Sequence, residues 1–320
     1  MRVGVIGAGG IGGFYGGVLA RGGHDVFMLA RGANLDAIRE RGITVRTPED
    51  TFVAKVEASD DAREVSAKFG EGDFAIVSTK SYSLPEIANA VKAFADRGAT
   101  IVPLQNGVEA ADTLIALGVP RDRLLGGVTY ISAVHAGPGT AERRNANQRV
   151  IVGELEGGES QRASDIAAAF TAVGVQGEAT ADIMLAIWQK FVFLASIAAG
   201  CGLTRLNIGA VRKLPLGRQL LERAVNEAVA VGRVRGVALR DDEELQVMKR
   251  IEGLPADVEP SLLLDLRNGS RTEVDVLSGA IARFGDELGI DTPVHDVAAV
   301  SLSAHSDSPT GGGRNTTKSR

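Results

Sequence analysis

The chain has 320 residues, 44% hydrophobic and 23% charged, which is enough for about two packed domains and excludes a wholly disordered chain. With 35 Lys and Arg against 40 Asp and Glu the net charge is −5, so nucleic acid is not an expected partner, although a local basic pocket for a small anion is compatible. One cysteine, Cys201, excludes a disulfide framework and a multi-cysteine zinc site, and His24, His135, His295 and His305 show no ligand spacing, so no metal is expected.

In chain order, residues 2–7 (RVGVIG) form a short Val/Ile-rich run that breaks into glycine, and residues 10–21 continue with helical spacing. Further apolar runs follow at 25–30 (DVFMLA), 73–78 (DFAIVS) and 100–104 (TIVPL), the last before a helical stretch near 107–117. Strands alternating with helices predict a mostly parallel sheet covered on both faces. Residues 124–133 and 149–154 read as further strands, with a turn at 136–139 (AGPG). From residue 182 the pattern turns helical, at 182–199, 215–236, 241–251, 261–266 and 273–288. The reading is an α/β domain over 1–180, an all-helical domain over 181–304, and a disordered tail over 305–320 that has no large apolar residue. The apolar stretch 183–199 contains Gln189, Lys190 and Ser196, which favours a buried core helix over a membrane span. No basic and hydrophobic leader opens the chain, so a cytoplasmic, membrane-free protein is expected.

The strongest local signal is Gly7-Ala8-Gly9-Gly10-Ile11-Gly12. It follows a predicted strand and opens a predicted helix, the context in which a glycine triplet binds a dinucleotide. Gly7 permits the turn, Gly9 lets backbone approach a pyrophosphate, and Gly12 lets the helix pack close to the sheet. An NAD site usually has Asp or Glu at the end of the second strand. Here the residues are Leu29-Ala30-Arg31-Gly32, and a guanidinium suits a 2′-phosphate, so NADP(H) is the expected cofactor. Lys80 and Asn106 follow later strands at the edge where such sheets bind ligands. Lys190 is the only charge between Asp182 and Arg205. It either snorkels to water or faces a polar cleft, where desolvation would lower its pKa and suit it to proton donation. On spacing alone, Ser261 and Glu273 read as solvated helix ends.

Taken together, these marks resemble the ketopantoate reductase family over about residues 1–300: the glycine segment from Val3 to Gly12, Arg31, Ser78-Thr79-Lys80, Gln105-Asn106-Gly107, Trp188-Gln189-Lys190, and Ser261 through Thr272-Glu273-Val274-Asp275. The resemblance implies a Rossmann domain with a doubly wound sheet, a helical C-terminal domain, a cleft between them, and NADPH-dependent reduction of a 2-oxo acid. By position it makes Lys190 the general acid, with Asn106 near nicotinamide and substrate. Lys80 lines the cofactor cleft, Arg31 lies beside the 2′-phosphate, and Ser261 and Glu273 are in the substrate site. The sequence departs from the pattern where asparagines stand four and eight residues beyond the family's lysine. Here Leu194 and Ala198 would line that pocket. The leading expectation is reduction of 2-dehydropantoate to pantoate. The alternatives are a more apolar 2-oxo acid, or a non-catalytic NADP(H)-binding regulator. A homodimer is left open.

Overall fold

The computed structural model describes residues 1–304; the tail expected to be disordered, 305–320, lies outside the described residues. The chain divides into two compact units, Met1–Ile187 and Trp188–Arg320.

In the first unit the strands are β1 (Arg2–Ile6), β2 (Asp25–Leu29), β3 (Ile43–Arg46), β4 (Thr51–Ala54), β5 (Glu57–Ser59), β6 (Phe74–Val77), β7 (Thr100–Pro103), β8 (Gly126–His135), β9 (Thr140–Gly153) and β10 (Gln176–Ala179). The helices between them are α1 (Gly10–Arg21), α2 (Gly32–Arg41), α3 (Ala62–Ser66), α4 (Leu84–Ala95), α5 (Ala110–Ala116) and α6 (Gln161–Ala172). One sheet has the order β5-β2-β1-β6-β7, and each of its pairings is parallel. Its inner strands are apolar on both faces, and every residue of β6 and β7 is buried, as a parallel sheet flanked by helices requires. The chain winds outward from β1 through β2 to β5, then returns to the other side of β1 as β6 and β7. The point between β1 and β6 is therefore a topological switch, where sheets of this kind bind ligands beyond the strand C-termini.

A second, mixed sheet runs β10-β9-β3-β4, with β8 antiparallel to β9. The sequence patterns predict β8 and β9 but not β3, β4, β5 or β10. These are three or four residues long, and β10 (QGEA) is half polar, too short and too mixed to show an alternation. Helix α1 packs on both sheets at once. A methyl at Gly16 would run into Met28 of β2, and one at Gly17 into Val45 of β3. Much of the glycine in this helix thus serves close packing, because a Cβ would push the sheets away.

The second unit is helical throughout its described residues: α7 (Ile183–Thr204), which begins in the first unit, then α8 (Ile208–Lys213), α9 (Gly217–Val234), α10 (Glu243–Glu252), α11 (Ser261–Arg267), α12 (Ser278–Leu288) and α13 (Pro293–Ser303). The units divide inside α7 rather than at residue 180, because Ile183, Met184, Ala186 and Ile187 pack against Val128 of β8 and Ile151 of β9. By length and composition α7 could cross a membrane. It is instead a packed helix. Trp188, Phe191, Val192, Ala195 and Ala199 are buried, Trp188 meets Phe191 edge-on at 5.3 Å, and Gly202 lies against Leu262 and Leu302. The amphipathic spacing predicted for 215–236 is realised in α9, where Leu221, Ala224, Val225 and Ala228 are fully buried.

Two of the polar groups buried in this unit, Glu227 and His295, have well-placed hydrogen-bond partners. Glu227 of α9 accepts the backbone N–H groups of Val294 and His295 at the start of α13, at 3.0 to 3.1 Å. The His295 ring contacts Ser278 Oγ at 3.1 Å and the Ala224 carbonyl at 3.0 Å. Burial pushes its pKa down to about 4, so the ring is neutral at physiological pH.

Candidate active site

The glycine loop sits at the switch point. Gly7 has φ +101°, and a Cβ there would come 2.8 Å from the Thr79 backbone nitrogen. Ser78, at the end of β6, donates its hydroxyl to the Gly7 carbonyl at 2.8 Å and fixes the turn. A Cβ on Gly12 would run into that same carbonyl, whereas a Cβ on Gly9 would meet nothing within 4 Å. Gly12 is thus needed by the fold, and the space at Gly9 is open. Helix α1 starts at Gly10, next to Ala8 and Ile11, with no side-chain cap. Its first N–H groups and positive dipole end point where an anion fits.

Arg31 is exposed and caps the start of α2 directly after β2, with no carboxylate in Ala30-Arg31-Gly32. Three residues on, Asn34 donates to the Ala8 carbonyl at 2.9 Å and accepts from the Gly139 N–H at 2.7 Å, tying the glycine loop to the β8–β9 turn. The sequence reading missed this brace, since a lone Asn in a helix carries no pattern.

Lys80 and Asn106 follow the neighbouring parallel strands β6 and β7, so both belong to one edge of the sheet. Ser81 Oγ donates to the Asn106 carbonyl at 3.2 Å and joins the two loops. Beside them, Thr79 Oγ1 and both amide atoms of Gln105 are buried without a hydrogen-bond partner. An unsatisfied buried polar group costs about 1–3 kcal/mol, and such groups gather where function requires them. These orphaned groups, the open space at Gly9 and the uncapped α1 N-terminus fit a dinucleotide. Neither Thr79 nor Gln105 was singled out from the sequence.

In the second unit, Lys190 is partly buried on α7 between buried Trp188 and Phe191. Burial lowers its pKa from 10.5 to about 8; the Glu273 carboxylate opposes this shift and the Arg250 guanidinium adds to it. Glu273 is 6% exposed, so the reading of it as a solvated helix end is corrected: Thr272, Glu273 and Val274 form a buried turn ahead of α12. Ser261, by contrast, is exposed at the first position of α11. Leu194 and Ala198 follow Lys190 at four-residue spacing on α7, Leu194 partly buried and Ala198 buried. The Arg250 guanidinium of α10 lies 3.9 Å from the centroid of the Phe193 ring. Lys249 and Arg250 are the basic residues of the last turn of α10. Among the described residues no group of three His, Cys, Asp or Glu side chains could hold a metal ion.

Comparison with known proteins now decides the family. Residues 3–157 match the profile of ketopantoate reductase PanE/ApbA, and residues 182–305 match that of its C-terminal domain. The chain belongs to the ketopantoate reductase family. It is 33% identical to the 2-dehydropantoate 2-reductase of Halobacterium salinarum, over 92% of this chain and 95% of that one. The crystal structure of a PanE/ApbA family ketopantoate reductase from Ralstonia eutropha is similar with a TM-score of 0.84 at 31% identity, covering 96% of this chain and 99% of that one. D-mandelate dehydrogenase, solved with NADH and anilino(oxo)acetate, shares the fold with a TM-score of 0.83 at 22% identity, over 96% of this chain and 99% of that one. The N-terminal α/β and C-terminal helical organisation expected from the sequence is thus that of the family, and membership makes the chain a pyridine-nucleotide-dependent oxidoreductase.

Proposed function

We propose that this chain is an NADPH-dependent reductase of 2-oxo acids and takes 2-dehydropantoate to pantoate. The observation that carries the reading is Lys190, a partly buried lysine on an apolar helix, interacting with Glu273 and brought to a pKa of about 8.

The first unit would hold the nucleotide. The α1 N-terminus takes the pyrophosphate at Gly9, Gly10 and Ile11, Arg31 the 2′-phosphate, and Lys80 and Asn106 the region toward the nicotinamide. When bound, NADPH supplies the hydride that reaches the 2-oxo carbon. Negative charge then develops on the carbonyl oxygen, and Lys190 as ammonium stabilises it and donates the proton. Desolvation makes Lys190 a stronger acid than a lysine in water, and Glu273 keeps it protonated near neutral pH. Asn106 would orient the cofactor or substrate, Ser261 would bond the substrate carboxylate, and Glu273 a hydroxyl of the substrate.

A second reading is a more apolar 2-oxo acid, favoured by Leu194 and Ala198 on the Lys190 side of α7. The test is a panel of 2-oxo acids mixed with protein and NADPH, followed by nicotinamide absorbance. Fastest turnover of 2-dehydropantoate supports the first reading, and preference for acids without hydroxyls supports the second. No turnover of any 2-oxo acid would reject both and favour a nucleotide-binding regulator.

A further inference from the structure

We propose that Asn34 is a positioning residue for the nucleotide: it sets the peptide between Ala8 and Gly9 so that the Gly9 N–H faces the pyrophosphate. This rests on the reading of the glycine loop as the nucleotide site. Asn34 is half-buried at the third position of α2, three residues after Arg31. Its Nδ2 donates to the carbonyl of Ala8, a buried residue of the loop, at 2.9 Å. Its Oδ1 accepts the Gly139 N–H at 2.7 Å, and His135 Nε2 lies 3.1 Å from the same oxygen. A backbone N–H can only donate and a carbonyl can only accept, so these two backbone partners fix which way round the amide stands. The β8–β9 turn holds the oxygen and leaves the nitrogen aimed at Ala8.

A trans peptide is planar, and its C=O and N–H point in opposite directions. Asn34 draws the Ala8 carbonyl to itself, so the Gly9 N–H, in the same peptide unit, is directed away from Asn34. The space at Gly9 is open, since a Cβ there would meet no atom within 4 Å. The peptides on either side are held by other contacts. The Gly7 carbonyl takes the Ser78 hydroxyl at 2.8 Å, and the Gly9 carbonyl accepts the Gly13 N–H of α1 at 2.8 Å. Asn34 holds the peptide between them. Without that bond the peptide could turn over at small cost, because the turn changes only ψ of Ala8 and φ of Gly9, and glycine accepts φ of either sign. The turned peptide would present a carbonyl, the negative end of its dipole, to the incoming anion.

The test compares binding of NADPH with binding of adenosine 2′-phosphate, which carries the 2′-phosphate but no pyrophosphate, by calorimetry on the full-length protein. Asn34→Leu, close in volume but without polar atoms, should weaken NADPH about tenfold, the scale of one hydrogen bond to a charged group, and leave adenosine 2′-phosphate within about twofold of wild type. Asn34→Ala, which suits a helix and demands no space, should behave alike and serves if the leucine variant does not fold. An asparagine that merely supports α2 would weaken both ligands together, because Arg31 caps that helix. A joint loss, or NADPH binding within about twofold of wild type, overturns the proposal and leaves the nucleotide site standing. Wild-type protein that binds neither ligand overturns the nucleotide reading itself, and the proposal with it.

Discussion

The two units carry function by different means. In the first, backbone does most of the work: a turn at Gly7, open space at Gly9, free N–H groups at the start of α1, and loops that follow adjacent parallel strands. In the second, side chains from distant segments act on one another: Lys190 from α7, Arg250 from α10 and Glu273 from the turn before α12. A backbone-built site tolerates side-chain change but not an added Cβ. A site built from side chains on packed helices is sensitive to charge, because burial magnifies each electrostatic contact.

Substitutions can break this contrast. The largest effect is expected at Lys190. Lys190→Met keeps most of the stem and removes the ammonium, so the variant should fold and bind NADPH but lose roughly two to four orders of magnitude in turnover. Turnover within about threefold of wild type would remove Lys190 from the chemistry.

Next comes the glycine pair. Gly12→Ala places a methyl against the Gly7 carbonyl and should destabilise the protein by about 1–3 kcal/mol, visible as a lowered Tm. Gly9→Ala meets no protein atom within 4 Å, so its Tm should hold while nucleotide affinity falls. Equal Tm losses would show that both glycines are structural. Arg31→Ala should weaken NADPH roughly tenfold or more and leave NADH nearly unchanged, by fluorescence titration. Equal losses would take the 2′-phosphate away from Arg31.

A smaller, pH-dependent effect is expected at His295. Its folded pKa of about 4 lies below the ordinary 6.5, so the unfolded chain takes up a proton first as pH falls. This contribution to stability is complete above the ordinary value and is lost on acidification toward pH 4, at no more than about 1.4 kcal/mol per pH unit. His295→Gln should flatten that part of a Tm-against-pH curve.

The same contrast explains what could be read from the sequence. The glycine loop, Arg31, Lys80 and Asn106 were legible because strand, turn and helix adjoin in the chain, so local pattern predicts where each residue stands. Lys190 was legible as a lone charge in an apolar run. Glu273 and Ser261 came only through resemblance; spacing reads both as solvated, and one of them is buried. Arg250, Thr79, Gln105 and Asn34 were not legible, since their meaning lies in a stacked ring, a missing partner or a carbonyl far along the chain. The second sheet escaped for a related reason: its short strands are specified by pairing with β9 and by the packing of α1, not by their own alternation.

The most direct test of Lys190 as proton donor is the pH dependence of kcat/KM for 2-oxo acid reduction, which reports the free protein's acid. Lysine donates only while protonated, so the account predicts a rate that falls as pH rises through about 8. Glu273→Gln removes the charge that holds the proton on and should move that fall to lower pH. A profile that is flat from pH 7 to about 10, the ordinary range of an unburied lysine, or a limb that Glu273→Gln leaves in place, would contradict it.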